Sequence, residues 1–201
     1  NTMEIFKNEI KHWFKSDEQF NQLYPVDIQL LASWHWTPLH VARKAAQFLA
    51  AEKNASILDI GSGVGKFCLI AAHYEPNVHF YGVEQRQHLI DYAEKANETL
   101  QLNNVTFLCK NFKDIDFKNF DHFYYFNSFY ENLEGTSKID DSIDYSTALF
   151  HSYSLYLMRQ LALKPAGTRL ATYHSSESEI PLGFHLVKAD LDEQLKFWVK
   201  I

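Results

Sequence analysis

The chain has 201 residues, 46% apolar and 22% charged, enough for one domain with a single large core and too apolar to be disordered throughout. Its formal net charge of −6, with no run of Lys or Arg, argues against bulk binding to nucleic acid, which needs clustered cations. No apolar stretch of about 18 residues predicts a membrane span, and no basic-then-apolar leader opens the chain, so the expected location is the cytoplasm.

In chain order, residues 3–20 carry Ile5, Phe6, Ile10, Trp13 and Phe14 at three- and four-residue spacing, which predicts an amphipathic helix. Tyr24-Pro25 predicts a turn. Thr37 is placed to cap, and Pro38 to open, a helix that runs through Val41, Ala45, Phe48 and Leu49 to about residue 52. Residues 1–52 are therefore expected to be N-terminal helices packed on a core domain of residues 53–201. There, short apolar runs predict strands at 56–60, 79–84, 105–109, 122–127 and 168–173, and longer periodic segments predict helices at 65–74, 87–102 and 146–163. Residues 131–145 are a polar, acidic loop of the length that lids and binding loops have. Residues 184–187 and 195–199 predict a terminal hairpin. Strands alternating with helices imply an α/β fold: a doubly wound, mostly parallel sheet with helices on both faces, extended by an antiparallel C-terminal hairpin.

Cys68 and Cys109 both lie in apolar stretches without ligand spacing and are expected to be small buried hydrophobes. His35, His40, His73, His79 and His122 share no metal spacing, so no metal site is expected, and no nucleophile elbow occurs.

The strongest signal is Asp59-Ile60-Gly61-Ser62-Gly63-Val64-Gly65, which follows a strand and opens a helix. Glycines allow a sharp turn and a close approach by a ligand, and the helix start beyond offers free N–H groups. A dinucleotide and a sulfonium nucleoside are both candidates. The dinucleotide fingerprint would need a third glycine at position 66, which is Lys66, whereas these glycines alternate at 61, 63 and 65. Asp59 suits an ammonium better than a pyrophosphate, because like charges repel. Glu84, about 20 residues on at the next strand's end, is placed to accept from ribose hydroxyls, with Gln85 beside it.

Residues 56–130 resemble the class I S-adenosylmethionine-dependent methyltransferases, whose first motif reads acid-x-Gly-x-Gly-x-Gly; Leu163-Lys164-Pro165-Ala166-Gly167 resembles the segment that precedes their fifth strand. The resemblance implies a seven-stranded Rossmann-like sheet of order 3-2-1-4-5-7-6 and S-adenosylmethionine as cofactor, demethylated to S-adenosylhomocysteine. It implies that the Gly61–Gly65 turn, with Asp59 and Ser62, cradles the methionine end and that Glu84 holds the ribose. Where the family has an acid that bonds the adenine amine, this chain has Asn111, whose side-chain oxygen can accept the same bond; Asp114 is a substitute, and Phe112 offers a backbone N–H and an apolar wall. The segment Trp36-Thr37-Pro38 either covers the cofactor or belongs to a packing helix.

The fourth strand leads into Asn127-Ser128-Phe129-Tyr130, where the acceptor is expected. Asn127 is placed to orient an attacking amine, while Phe129 and Tyr130 wall a channel and exclude water. The tetrapeptide partly resembles the Asn-Pro-Pro-Tyr element of amino-methylating enzymes, without its prolines, and resembles more closely the Asn-Asn-Phe element of disruptor-of-silencing lysine methyltransferases. A nitrogen on a protein or small molecule is therefore the expected acceptor. The alternatives are a catalytically silent cofactor-binding module and a nicotinamide-dependent oxidoreductase.

Overall fold

The computed structural model describes residues 10–201; the part of the predicted 3–20 helix before residue 10 lies outside them. Instead of one helix continuing to residue 20, helical residues 10–13 end and Ser16, in extended conformation (φ −154°), starts a new helix, α1 (Asp17–Asn21), by accepting a hydrogen bond from the Gln19 N–H. Two short helices follow, α2 (Val26–Gln29) and α3 (Ala32–His35), and then α4 (Leu39–Leu49). Contrary to expectation, Thr37 is not the cap of α4. Its hydroxyl is buried against the Tyr124 hydroxyl at 2.9 Å, Pro38 takes the cap position, and the Leu39 N–H is satisfied by Asp17 Oδ1 at 2.9 Å.

The remaining elements are β1 (Ser56–Ile60), α5 (Lys66–Tyr74), β2 (His79–Glu84), α6 (Gln87–Leu100), β3 (Val105–Cys109), β4 (His122–Phe126), α7 (Thr147–Ala162), β5 (Arg169–Tyr173), β6 (Phe184–Asp190) and β7 (Leu195–Lys200). They form one seven-stranded sheet in the expected order β3-β2-β1-β4-β5-β7-β6. β1 to β5 are mutually parallel, and β7 pairs antiparallel with both β5 and β6.

Side chains alternate between the faces of a strand, and the two cores follow that alternation. Ile57, Phe80, Tyr124, Ala171 and Phe197 face α4, α5, α6 and the N-terminal Phe20 and Tyr24. Leu58, Phe123, Tyr125, Leu170 and Trp198 face Leu157 and Leu161 of α7. No α-helix joins β3 to β4; two 3-10 turns, Phe112–Asp114 and Phe117–Asn119, cover that part of the second face with Phe112, Ile115, Phe117 and Phe120. Asn111 and Asp116 start these turns by accepting from backbone N–H groups two residues on, which favours a turn over a longer helix.

Cys68 is buried as expected, but Cys109 is exposed, because it ends the edge strand β3. Among the described residues no helix is long and apolar enough to cross a membrane. Parallel pairing sends β1, β2 and β4 out of the sheet at the same edge, so their following loops converge there.

Candidate functional site

All three glycines of the turn have positive φ: 76° at Gly61, 53° at Gly63 and 78° at Gly65. Their surroundings differ. A Cβ at Gly65 would lie 2.5 Å from the Phe107 ring and 2.8 Å from Ala93, and one at Gly61 would lie 2.6 Å from Ser128 Cβ, whereas one at Gly63 would meet nothing within 4 Å. Gly61 and Gly65 therefore admit the protein's own side chains, and only Gly63 faces open space.

That space is a cavity of about 900 Å³, including its open mouth. Of the residues expected at the cofactor, Gly61, Gly63, Glu84, Gln85, Asn111, Phe112 and Asn127 line it, as does Phe129. Asp59 and Ser62 line a smaller adjoining pocket of about 310 Å³ that shares Gly61, Val64, His35, Trp36 and Phe126 with the first. Gly65 lines neither of them, and Tyr130 stands outside too, its hydroxyl donating to Glu179 Oε2 at 3.2 Å.

Asp59 is fully buried, and burial pushes its pKa up to about 8 against the opposing hydrogen bond from the Cys68 thiol; the nearby charge of Glu84 adds to the rise. Folded Asp59 thus keeps a proton that the unfolded chain releases near pH 4, so its contribution to stability is full below about pH 4 and is lost as pH rises to about 8. Asp59→Asn, an uncharged replacement, is expected to flatten that slope and to raise Tm at pH 8 relative to the parent. Thermal melts from pH 4.5 to 9 measure it, and parallel curves for the two proteins would mean that Asp59 ionises normally.

Glu84 uses one oxygen internally. Its Oε1 accepts from the backbone N–H groups of Gln85 (2.9 Å) and Arg86 (3.0 Å) and from Arg86 Nη1 (3.2 Å), and Oε2 has no hydrogen bond among the described residues. Burial raises the Glu84 pKa, against the Arg86 charge that lowers it. Arg86 Nη2 donates to both oxygens of Glu131 (2.9 and 3.0 Å) and to the Tyr145 hydroxyl (2.8 Å), and Nε lies 3.4 Å from Asp140. Burial opposes the Arg86 charge, but Glu84 and Glu131 outweigh it and hold the guanidinium protonated. This buried cation fastens both ends of the 131–145 loop against the cavity, which Glu131, Ile139, Ile143 and Tyr145 help to line.

Asn111 engages its side chain within the protein on both sides: Oδ1 accepts from the Lys113 N–H at 3.1 Å, which leaves its second lone pair, and Nδ2 donates to the Tyr153 hydroxyl at 3.0 Å. Asp114 is absent from the cavity lining. Phe112, Phe129 and Tyr153 form an aromatic wall, with ring centroids 4.8 Å (Phe112–Phe129) and 5.4 Å (Phe112–Tyr153 and Phe129–Tyr153) apart. Phe129 accordingly belongs to this wall and not to a channel shared with Tyr130.

A second cavity, about 1020 Å³ with its mouth, adjoins the first. Trp34, Trp36, Phe126 and Asn127 line both, while Lys66, Tyr173 and His174 line only the second of the two. Asn127, in left-handed conformation (φ 45°), holds its side-chain Oδ1 buried and without a hydrogen-bond partner among the described residues. Lys66 turns away from the first cavity to pair with Asp17 and to donate to Asn21 Oδ1 at 2.9 Å. Among the described residues no cluster of three or more His, Cys, Asp or Glu side chains is placed to hold a metal.

Sequence reasoning did not single out Arg86, Tyr153, Trp34 or Tyr173. For Arg86 a signal existed: two residues beyond Glu84 on extended backbone, it points to the same side. The others come from distant elements whose convergence has no local signature.

A family model described as a methyltransferase domain matches residues 51–198. The tRNA (guanine-N(7)-)-methyltransferase of Synechococcus sp. (strain JA-3-3Ab) is 48% identical over 54 residues, 27% of this chain and 23% of that protein; its counterpart in Microcystis aeruginosa is 44% identical over 54 residues, 27% and 26%. The chain thus spans about a quarter of the length of the curated relatives it matches. Two solved structures share the fold: TrmN from Thermus thermophilus (19% identity, 82% of this chain, 49% of that one, TM-score 0.57) and an RNA methyltransferase from Salinibacter ruber with bound S-adenosyl-L-homocysteine (17%, 82%, 92%, TM-score 0.57). The expectation of a protein or small-molecule acceptor, with no bulk nucleic-acid binding, is overturned by these relatives, whose names specify tRNA. Its nucleic-acid part rested on a net charge summed over the whole chain, which says little about one face, and its acceptor part on the short likeness at Asn127–Tyr130. The chain belongs to the methyltransferase domain family, and its cofactor is S-adenosylmethionine.

Proposed function

We propose that this chain methylates a guanine base in RNA, tRNA being the first acceptor to test, with S-adenosylmethionine as methyl donor. The observation that carries the reading is the junction at Asn127: the cavity lined by Gly63 and Glu84 shares this residue, with Trp34, Trp36 and Phe126, with a second cavity that Tyr173 and His174 also line. The tRNA guanine-N7 relatives support the choice of acceptor.

The residues fit the cofactor. Gly63 leaves room for its methionine end, the free Oε2 of Glu84 is available to ribose hydroxyls, and Phe112, Phe129 and Tyr153 offer apolar faces to adenine. Burial holds the Asp59 pKa up, and an ammonium arriving next to it would favour the carboxylate form and pair with it. In this reading residues 53–201 form the cofactor-binding unit, residues up to 52 pack on it and supply Trp34 and Trp36, and the setting is the cytoplasm. The likeness to lysine-methylating enzymes is short and local, and the proposal does not rest on it.

Incubation with methyl-labelled S-adenosylmethionine and unmodified tRNA transcripts tests the proposal. Label is expected in the RNA and, after nuclease digestion, in a methylated guanosine. Label absent from every RNA offered, or present only in protein, would overturn it.

A further inference from the structure

The second cavity is larger than the methyl group alone requires, and Trp34, Trp36, Phe126, Tyr173 and His174 give it aromatic walls beside polar ones. We propose that it is the slot that receives the acceptor purine, with Trp34 as a stacking platform and Tyr173 with His174 as a fixed wall. The inference rests on the RNA reading above and assigns that reading its residues.

Contiguity is the first argument. A methyl group passes between ligands only where their sites meet, and the residues common to both cavities are Trp34, Trp36, Phe126 and Asn127. Trp34 is itself suited to stacking. It is 71% exposed on the four-residue helix α3 and stacks on no ring among the described residues, so its apolar face is available to be covered. A base stacked on such a ring gains about 1–3 kcal/mol, whatever its identity. Third, the wall is held in place by the sheet. Phe126 ends β4 and Tyr173 ends β5, and the two are paired neighbours with ring centroids 4.9 Å apart. His174, in left-handed conformation (φ 55°), donates its backbone N–H to the Gln194 carbonyl at 2.9 Å and keeps its ring 4.0 Å from that of Tyr173. The cavity's cation, Lys66, is already paired with Asp17.

These walls favour a ring nitrogen as the acceptor. The lone pair of that nitrogen forms the new N–C bond as the S–CH3 bond breaks, and the electron pair of the broken bond returns to sulfur. The positive charge passes to the base and no proton has to leave, which agrees with an asparagine, unable to take a proton, at the junction. Aromatic faces attract the cation so formed.

Tryptophan fluorescence reads the slot directly. With S-adenosylhomocysteine present to fill the first cavity, guanosine 5′-monophosphate and its 7-methyl derivative are titrated into the protein. Both are expected to quench, the cationic 7-methyl form at several-fold lower concentration, and Trp34→Phe is expected to remove the quench. Tyr173→Ala, which alters only the second of the two cavities, is expected to raise KM for tRNA about tenfold, the scale of one stacking contact, while leaving the S-adenosylmethionine Kd unchanged; Tyr173→Phe restores KM. If tRNA is methylated but neither nucleotide quenches Trp34, or Tyr173→Ala keeps the parental KM, the slot is wrong and the RNA reading stands. If no RNA is methylated, the RNA reading itself fails.

Discussion

Gly63→Val is expected to abolish S-adenosylmethionine binding, by about 100-fold or more, while the protein still folds. A Cβ at this position meets nothing within 4 Å, so a valine side chain would project into the cavity and occupy space the ligand needs. The cost to the fold is confined to the backbone: φ is 53°, and an L-residue in the left-handed region loses about 1–2 kcal/mol. For a chain of this size that corresponds to a Tm decrease of roughly 2–8 °C. Gly65→Val supplies the contrast. Its Cβ would fall 2.5 Å from the Phe107 ring, so over-packing of about 1–3 kcal/mol adds to the same backbone strain, and the melting temperature is expected to fall further. Calorimetric titration with S-adenosylmethionine beside thermal melts separates a blocked cavity from a damaged core. A Gly63→Val protein that binds within threefold of the parent would place the cofactor elsewhere.

Replacing Arg86 with glutamine is expected to destabilise the fold by about 3–5 kcal/mol, the cost of leaving buried carboxylates without their cation. Arg86 is 3% exposed at its side chain, Glu84 5% and Glu131 13%, so water cannot compensate for the loss. A Tm decrease on the order of 10 °C follows. The pH dependence has a definite sign. Without Arg86 the Glu84 pKa, already raised by burial, rises further, and a group whose folded pKa is raised loses its stabilising contribution as pH increases. The deficit relative to the parent is therefore expected to be smaller at pH 5 than at pH 8. The 131–145 loop should loosen as well, because Glu131, Asp140 and Tyr145 are anchored through this guanidinium. Faster tryptic cleavage after the exposed Lys138 would report that loosening. An unchanged Tm together with unchanged cleavage would show that the network holds nothing.

How far the site could be read from the sequence depended on distance along the chain. The strand–Gly61–Gly65–helix unit and Glu84 were legible because each is a local pattern: an apolar run, glycines at alternate positions, an acid at the next strand's end. Thr37 misled because a good capping residue before a proline is also a hydroxyl, and Tyr124, 87 residues away, takes it in the folded core. Asn111 reaches the cavity as expected from its place after β3, but its local bond to the Lys113 N–H was not legible from spacing alone. The break at Ser16 was hidden by apolar spacing that continues across it; a capping hydrogen bond decides there, not periodicity. The whole-chain charge misled about nucleic acid because it averages over surfaces that face different ligands, and the four-residue likeness at Asn127–Tyr130 misled about the acceptor because it is too short to specify one.

The sequence by itself determined the fold class, the order of the strands through the family resemblance, and the cofactor class. Those depend on residue patterns within a few dozen positions, where chain connectivity already restricts geometry. Only the tertiary structure decided that, of the turn's three glycines, Gly63 alone has open space where a Cβ would stand, that Arg86 ties the 131–145 loop to Glu84, and that Trp34, Phe126, Asn127 and Tyr173 meet at a second cavity. These arrangements arise where strand ends and loops far apart in the chain are packed together, and packing between distant segments leaves no periodic trace in any of them.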